Sequence, residues 1–337
     1  MPVTDPRPAD PRPTEPDPTD AGPTGPGPTE PRPVDAGPTD VSGAGPSPTD
    51  VSGAGPSPTD PTLTVPPLPA AAPDVRLVAV DMDGSLLDDA KRVDPSFWPL
   101  LDALVARGVT VCPASGRQYA TLRHQLGRDD LVYLAENGAH VVRDGVTAAV
   151  DGLDAEVARD VVREVRRQVA RGADLGVVLC GLRSAYVERT DAAFLAQCEP
   201  YYALLERVPD LTAVDDTVLK VAVLDFGSAD TGAGPALAGF ADVAAVLVSG
   251  AHWVDVMSPT ADKGHALREV QQLLGVGPEQ TVAFGDYLND VGMLAAADWS
   301  FAMANAHPAV RDGARFVAPS NADNGVVRTL RALLHLA

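Results

Sequence analysis

The sequence predicts a doubly wound α/β protein: a parallel-sheet, Rossmann-like core, interrupted after its third strand by a smaller α+β unit and preceded by a disordered proline-rich tail. Three observations carry this. Residues 1–73 hold 22 of the 32 prolines and no aromatic residue, so they bury too little apolar surface to offset the cost of ordering the chain. From Leu77 onward, apolar runs ending in polar clusters alternate with helical periodicity, as parallel strands covered on both faces require. The 264 residues from Asp74 onward are enough for a large core with a second unit inserted into it.

The elements follow in order. LVAVD (77–81), VTVCPAS (109–115), LVYLAEN (131–137), TVAFGD (281–286) and SFAMAN (300–305) are the core strands. Between the first two, Asp94 and Pro95 read as an N-cap and first-turn pair. Phe97, Leu100, Leu101, Leu104 and Val105 form one stripe, and Gly108 is the stop. Leu267, Val270, Leu273 and Leu274 form a second stripe closed by Gly275. The middle differs: a long amphipathic helix (Val157, Val161, Val165, Val169, ended by Gly172) precedes two strand-like segments, GVVLCGLRSAYVER and VLKVAVLDF. The expected organisation is a tail at 1–73, core at 74–145 and 250–337, and the inserted unit at 146–249. In the tail, VSGAGPSPTD occurs at 41–50 and again at 51–60; it reads as a solvating linker, with docking to a proline-recognising partner as the alternative.

A formal charge of −20 and a pI near 4.5 argue against nucleic acid or an anionic membrane as partner. Lysine is scarce: Lys91, Lys220 and Lys263 stand against 23 arginines. Cys112, Cys180 and Cys198 form no CxxC pair, which disfavours a disulfide framework or structural zinc. With no basic and apolar leader at the N-terminus and no long apolar run, a cytoplasmic protein is expected.

Four segments carry chemistry, each where a core strand ends or the next helix begins; open α/β sheets bind ligands beyond those strand ends. In Asp81-Met82-Asp83-Gly84, one carboxylate can attack phosphorus and the other handle a proton, while Gly84 lets the backbone turn close to a ligand. Ser115-Gly116-Arg117 offers a hydroxyl and backbone N–H groups as a phosphate cradle. Lys263 can neutralise charge on carboxylate and phosphoryl oxygens. Gly285-Asp286-Tyr287-Leu288-Asn289-Asp290 is a hard oxygen-donor set suited to Mg²⁺, held together with Asp81 and Asp83.

The order DxDGS, Ser-Gly-Arg, Lys, GDxxND resembles the haloacid dehalogenase superfamily of phosphohydrolases. ENGA (136–139), SPTADKGHAL, FGDYLND and ANAHPAV (304–310) resemble its Cof-type branch, with a C2 cap as the inserted unit. The resemblance covers about residues 76–335. It implies Asp81 as nucleophile, Asp83 as general acid and base, and Lys263 as a charge clamp. Gly84, Ser115, Gly116, Arg117 and Asn289 would line the substrate side. A Mg²⁺ would be held by Asp81, the Asp83 carbonyl and Asp286, with Asp290 supporting. Ser85 and Ser115 stand where Thr is commoner, and Tyr287 where a small residue is. The implied activity is a Mg²⁺-dependent phosphatase of small phosphorylated metabolites. A phosphomutase or phosphotransferase, or a non-catalytic binding protein using the tail, are the alternatives.

Overall fold

The computed structural model describes residues 67–336; the expectation of disorder for residues 1–73 lies outside them up to residue 66. Two sheets organise the described chain. The first contains β1 (Leu77–Asp81), β2 (Thr110–Ala114), β3 (Val132–Ala135), β4 (His140–Arg143) and β5 (Val146–Val150). The second contains β6 (Leu175–Gly181), β7 (Ala185–Val187), β8 (Leu205–Arg207), β9 (Val218–Asp225), β10 (Ala245–Val248) and β11 (Trp253–Met257). The chain then returns to the first sheet through β12 (Thr281–Gly285), β13 (Trp299–Met303) and β14 (Phe316–Ala318).

The order in the first sheet is β14-β13-β12-β1-β2-β3-β4-β5. From β14 to β3 every pairing is parallel, and β4 and β5 extend the edge as an antiparallel hairpin. All five residues of β1 and of β12 are buried, which explains their uninterrupted apolar runs. The chain winds outward from β1 to β5, leaves, and re-enters beside β1 at β12. The reversal point therefore lies between β1 and β12, where a doubly wound sheet opens its crevice. Register finishes the placement: Val80 sits opposite Phe284 and Asp81 opposite Ala114, so the segments after β1, β2 and β12 emerge side by side.

The second sheet, ordered β10-β11-β9-β6-β7-β8, is antiparallel except for β7 with β8. Its β9 is buried along its whole length but is two-faced. Val221 and Val223 pack with Val161 and Val165 of the long helix Ala155–Ala170, and Lys220 and Ala222, offset by one, turn to the other side.

Three expectations shift. Val146–Val150 pairs with β4 in the first sheet and Trp253–Met257 with β9 in the second. Sheet membership thus divides the chain near residues 151 and 258, not at 146 and 249: hairpin pairing holds β5 back, and the strand after the second unit's last turn completes that unit's sheet. The first core helix begins at Phe97, not at Pro95, because the Asp94 carboxylate accepts from the Ser96 N–H at 2.8 Å and the Ser96 hydroxyl at 2.6 Å, closing a local turn ahead of it. Leu273 and Val169, read as buried-stripe positions, are exposed at their helix ends.

One close approach locks the crevice. The helix Lys263–Leu274 runs so near the segment Val291–Ala295 that a Cβ on Gly264 would lie 2.2 Å from the Gly292 carbonyl carbon. Backbone cannot yield as a side-chain tip can. Gly264→Ala is expected to destabilise the protein by about 1–3 kcal/mol, as overpacking does, read as a fall in thermal midpoint by calorimetry; an unchanged midpoint would contradict the contact.

Candidate active site

The site is built around a buried ammonium. Asp262 caps the helix Lys263–Leu274 by accepting from the N–H groups of Gly264 (2.7 Å) and His265 (3.0 Å). This fixes Lys263 in the first turn, almost wholly buried, with Nζ donating to Asp81 Oδ1 at 2.5 Å and Asp290 Oδ1 at 2.7 Å. Asp290 is committed on its other side too, since Oδ2 accepts from the N–H groups of Asp286 (2.9 Å) and Tyr287 (3.1 Å). Burial works against the Lys263 charge, but Asp290 and Asp81 outweigh it and raise its pKa.

Carboxylates outnumber that cation. Oxygens of Asp81, Asp286 and Asp290 lie within 4.8 Å of one another. Burial, then the charge of Asp290, drives the Asp81 carboxyl well up and holds that of Asp286 at about 6. The buried Oδ2 of Asp81 has no hydrogen-bond partner among the described residues. At Gly84, φ is +83° and a Cβ would fall 2.1 Å from Asp286 Oδ2, so the missing side chain is what admits Asp286. An all-oxygen cluster with an orphaned acceptor and excess negative charge fits a hard divalent cation.

Asp83 is held differently. Its carboxylate accepts two hydrogen bonds from Arg117, at 2.8 Å and 2.7 Å, and its Oδ1 lies 2.8 Å from Lys91 Nζ. Burial acts to raise its pKa, yet these two cations prevail and lower it. Ser115 Oγ accepts from the Arg117 N–H at 3.2 Å, and Asn289 Nδ2 donates to Asn137 Oδ1 at 3.1 Å.

A cleft of about 430 Å³ opens over these groups, lined by Asp81, Asp83, Ser115, Gly116, Arg117, Asp286 and Asn289 of the expected set. Gly84, Lys263 and Asp290 are not on its wall. Gly84 admits Asp286 through the space its missing side chain leaves, and Lys263 lies beneath Asp81. Arg117 faces the cleft while clamped to Asp83. Tyr287 also lines the cleft, half exposed and edge-on to His307 with ring centroids 6.0 Å apart.

A family model for haloacid dehalogenase-like hydrolases matches residues 78–330. The chain belongs to that family. It is 31% identical over 265 residues to a 5-amino-6-(5-phospho-D-ribitylamino)uracil phosphatase of Escherichia coli, covering 77% of this chain and 96% of that one. To a phosphoglycolate phosphatase of Halorubrum lacusprofundi it is 32% identical over 259 residues, covering 76% and 96%. The crystal structure of SMU.1108c from Streptococcus mutans superposes with a TM-score of 0.70 at 24% identity, over 77% of this chain and 99% of that one. The second sheet stands where this fold inserts its cap, and the chain is a phosphatase of the family. No helix among the described residues is long and apolar enough to cross a membrane.

Two features of the hydrolase escaped the motif reading. Lys91 reaches Asp83 from a loop residue with φ of +60°. Lys220, on β9, donates to the Gly116 carbonyl at 2.9 Å and lies 2.9 Å from Glu136 Oε2 and 3.4 Å from Asp255 Oδ2. All three of these side chains are buried. Glu136 and Asn137 follow β3 with φ of +50° and +57°, a strained turn of the kind that collects at functional sites. It sends Glu136 to the cap's lysine and Asn137 to Asn289. The signal that would have found both lysines was lysine scarcity, applied only to Lys263.

Removing Lys220 would leave two buried carboxylates facing each other. Lys220→Met is expected to cost about 3–5 kcal/mol, as breaking a buried ion pair does, measured by urea unfolding. Lys220→Met with Glu136→Gln should recover part of that loss; no recovery would mean the cluster is not electrostatically coupled.

Proposed function

We propose that this phosphatase is Mg²⁺-dependent and hydrolyses small phosphorylated metabolites through an aspartyl phosphate on Asp81. The observation that carries the reading is Asp81 itself: one oxygen is held by Lys263 and the other is unpartnered, on a residue that lines the cleft. A carboxylate oriented through one oxygen with the second free is set to attack phosphorus in line. Asp81, Asp286 and the Asp83 carbonyl would hold the cation, with Asp290 behind them. The cation would offset negative charge between the phosphoryl group and the carboxylates.

Asp81 forms the new bond to phosphorus through one carboxylate oxygen as the bond to the leaving oxygen breaks. Asp83 supplies a proton to that oxygen, then takes one from the water that opens the aspartyl phosphate. Arg117 and Lys91, which pair with Asp83 in the free protein, line the cleft and are cations an incoming phosphoryl group can meet. Drawing them onto the substrate frees Asp83 to carry its proton. Ser115 and the N–H groups of its loop complete the cradle. The relatives' names point to two kinds of substrate: phosphoglycolate, whose leaving group is an anionic hydroxy acid, and a phosphorylated ribitylaminouracil, whose leaving group is an alcohol bearing a ring.

Two measurements test this. Excess EDTA should abolish release of inorganic phosphate from an activated aryl phosphate, and Mg²⁺ should restore it where Zn²⁺ does not, since the proposed ligands include no His or Cys; full activity in EDTA would refute the metal. The two carboxylates should also fail differently. Asp81→Asn should form no phosphoenzyme, whereas Asp83→Asn, given a good leaving group, should form one that decays slowly. Identical behaviour of the two variants in rapid-quench labelling would overturn the division of roles.

A further inference from the structure

Opposite the carboxylates, the wall of the cleft comes from the cap: Tyr201, Tyr202, Trp253, Asp255 and the Ser249-Gly250 turn. Trp253 and Asp255 are two apart on β11, so they share a face of the sheet. Tyr201 is 41% exposed and stands edge-on to Trp253, ring centroids 6.1 Å apart. Resting on the phosphatase reading, we propose that this wall is a subsite for the leaving group, selective for an uncharged alcohol bearing a planar ring. Trp253 and Tyr201 would pack on the ring, and Asp255 would accept from its N–H or O–H groups.

Size, surface and charge each point this way. A cleft of about 430 Å³ falls in the range that encloses a ligand of many atoms, well beyond a phosphorylated two-carbon acid. Two adjacent aromatic side chains line the cleft and meet edge to face, at 70°; Trp253 rests partly on the second sheet's core and Tyr201 is the more exposed, a pairing that suits a planar ring. The charge balance excludes an anionic leaving group. Among the described residues lining the cleft, the cations are Lys91, Arg117 and Lys220. The first two sit on Asp83 at the phosphate end. Lys220 is the cation of the cap end, and it is already shared between Glu136 and Asp255. A carboxylate brought there meets Asp255 and no free cation. A neutral ring with hydrogen-bond donors meets aromatic faces and an acceptor.

Matched pairs of esters test the subsite. Uridine 5′-monophosphate and ribose 5-phosphate differ mainly by a ring; phosphoglycolate and 2-hydroxyethyl phosphate differ by a carboxylate in place of an alcohol. With the full chain and Mg²⁺, kcat/KM for uridine 5′-monophosphate should exceed that for ribose 5-phosphate by about 10-fold or more, the size of one base–aromatic stack, chiefly through KM. Phosphoglycolate should be the poorer of its pair. In Trp253→Ala the ring's advantage should fall towards one, and Trp253→Phe should keep most of it. A ratio near one in the wild-type chain, a ratio that survives Trp253→Ala, or phosphoglycolate as the better of its pair would overturn the subsite while leaving a working phosphatase. Phosphate release from none of the four, nor from the activated aryl phosphate with Mg²⁺, would overturn the proposed reading of the site and the subsite with it.

Discussion

The arrangement of the active site depends on one ammonium group with no access to water. Lys263 Nζ, between Asp81 and Asp290, is what allows acidic side chains from two strand ends to share a crevice. Without it Asp81, Asp286 and Asp290 would repel at less than 5 Å, and burial would force protons onto them. A buried ion cluster of this kind adds little net stability, because desolvation consumes most of the attraction. What it supplies is position. Several backbone features serve that position: the Asp262 cap that starts the helix at Lys263, the Gly264–Gly292 contact, and Gly138, where a Cβ would lie 2.5 Å from the Asp262 carbonyl oxygen.

A second layer joins the cap to the same crevice. Lys220 belongs to the cap sheet, yet it hydrogen-bonds the Gly116 carbonyl in the cradle loop and neutralises Glu136 of the strained turn after β3. The Gly116 carbonyl, pulled towards the cap, leaves the loop's Ser115 and Arg117 to the cleft. The cap is thus both a wall and a tether: its aromatic residues line the cleft while its lysine holds the loop that borders it.

Much of this was legible in the sequence because short motifs at strand ends report their own placement. Uninterrupted apolar runs marked β1, β2, β3, β12 and β13; DxDG or GDxxND alone can be a solvated turn or an acidic cap, but the four segments in order, each at its strand end, have few other readings. Features set by tertiary pairing were not legible. Val146–Val150 is exposed and short, so only its hairpin with β4 says which sheet it joins. Asp94 looked like a helix cap and lies two residues early, since Ser96 takes the cap position and donates to the Asp94 carboxylate. The cap's contribution was the least visible: Lys220 lies inside VLKVAVLD, a run that reads as plain core strand, and Tyr201 and Trp253 carry no motif. Their meaning comes from sequence separations of about 35–120 residues closing in space, which periodicity does not encode.

The identity of each cation follows from the shape of its acceptors. Arg117 meets a single carboxylate, Asp83, through both oxygens, at 2.8 Å and 2.7 Å, a fork that matches a planar guanidinium. Lys263 instead meets one oxygen from each of two carboxylates, and Lys220 meets two carboxylates and a carbonyl; both are converging sets around a point. A compact ammonium with three donors satisfies such a set completely. A guanidinium there would bring five N–H groups to two or three acceptors in a site closed to water, leaving donors buried and unpaired at about 1–3 kcal/mol each. In a chain with 23 arginines and three lysines, the two buried lysines stand where arginine's extra donors would have nothing to bond, and the third, Lys91, brings its ammonium to an Asp83 oxygen that Arg117 already uses.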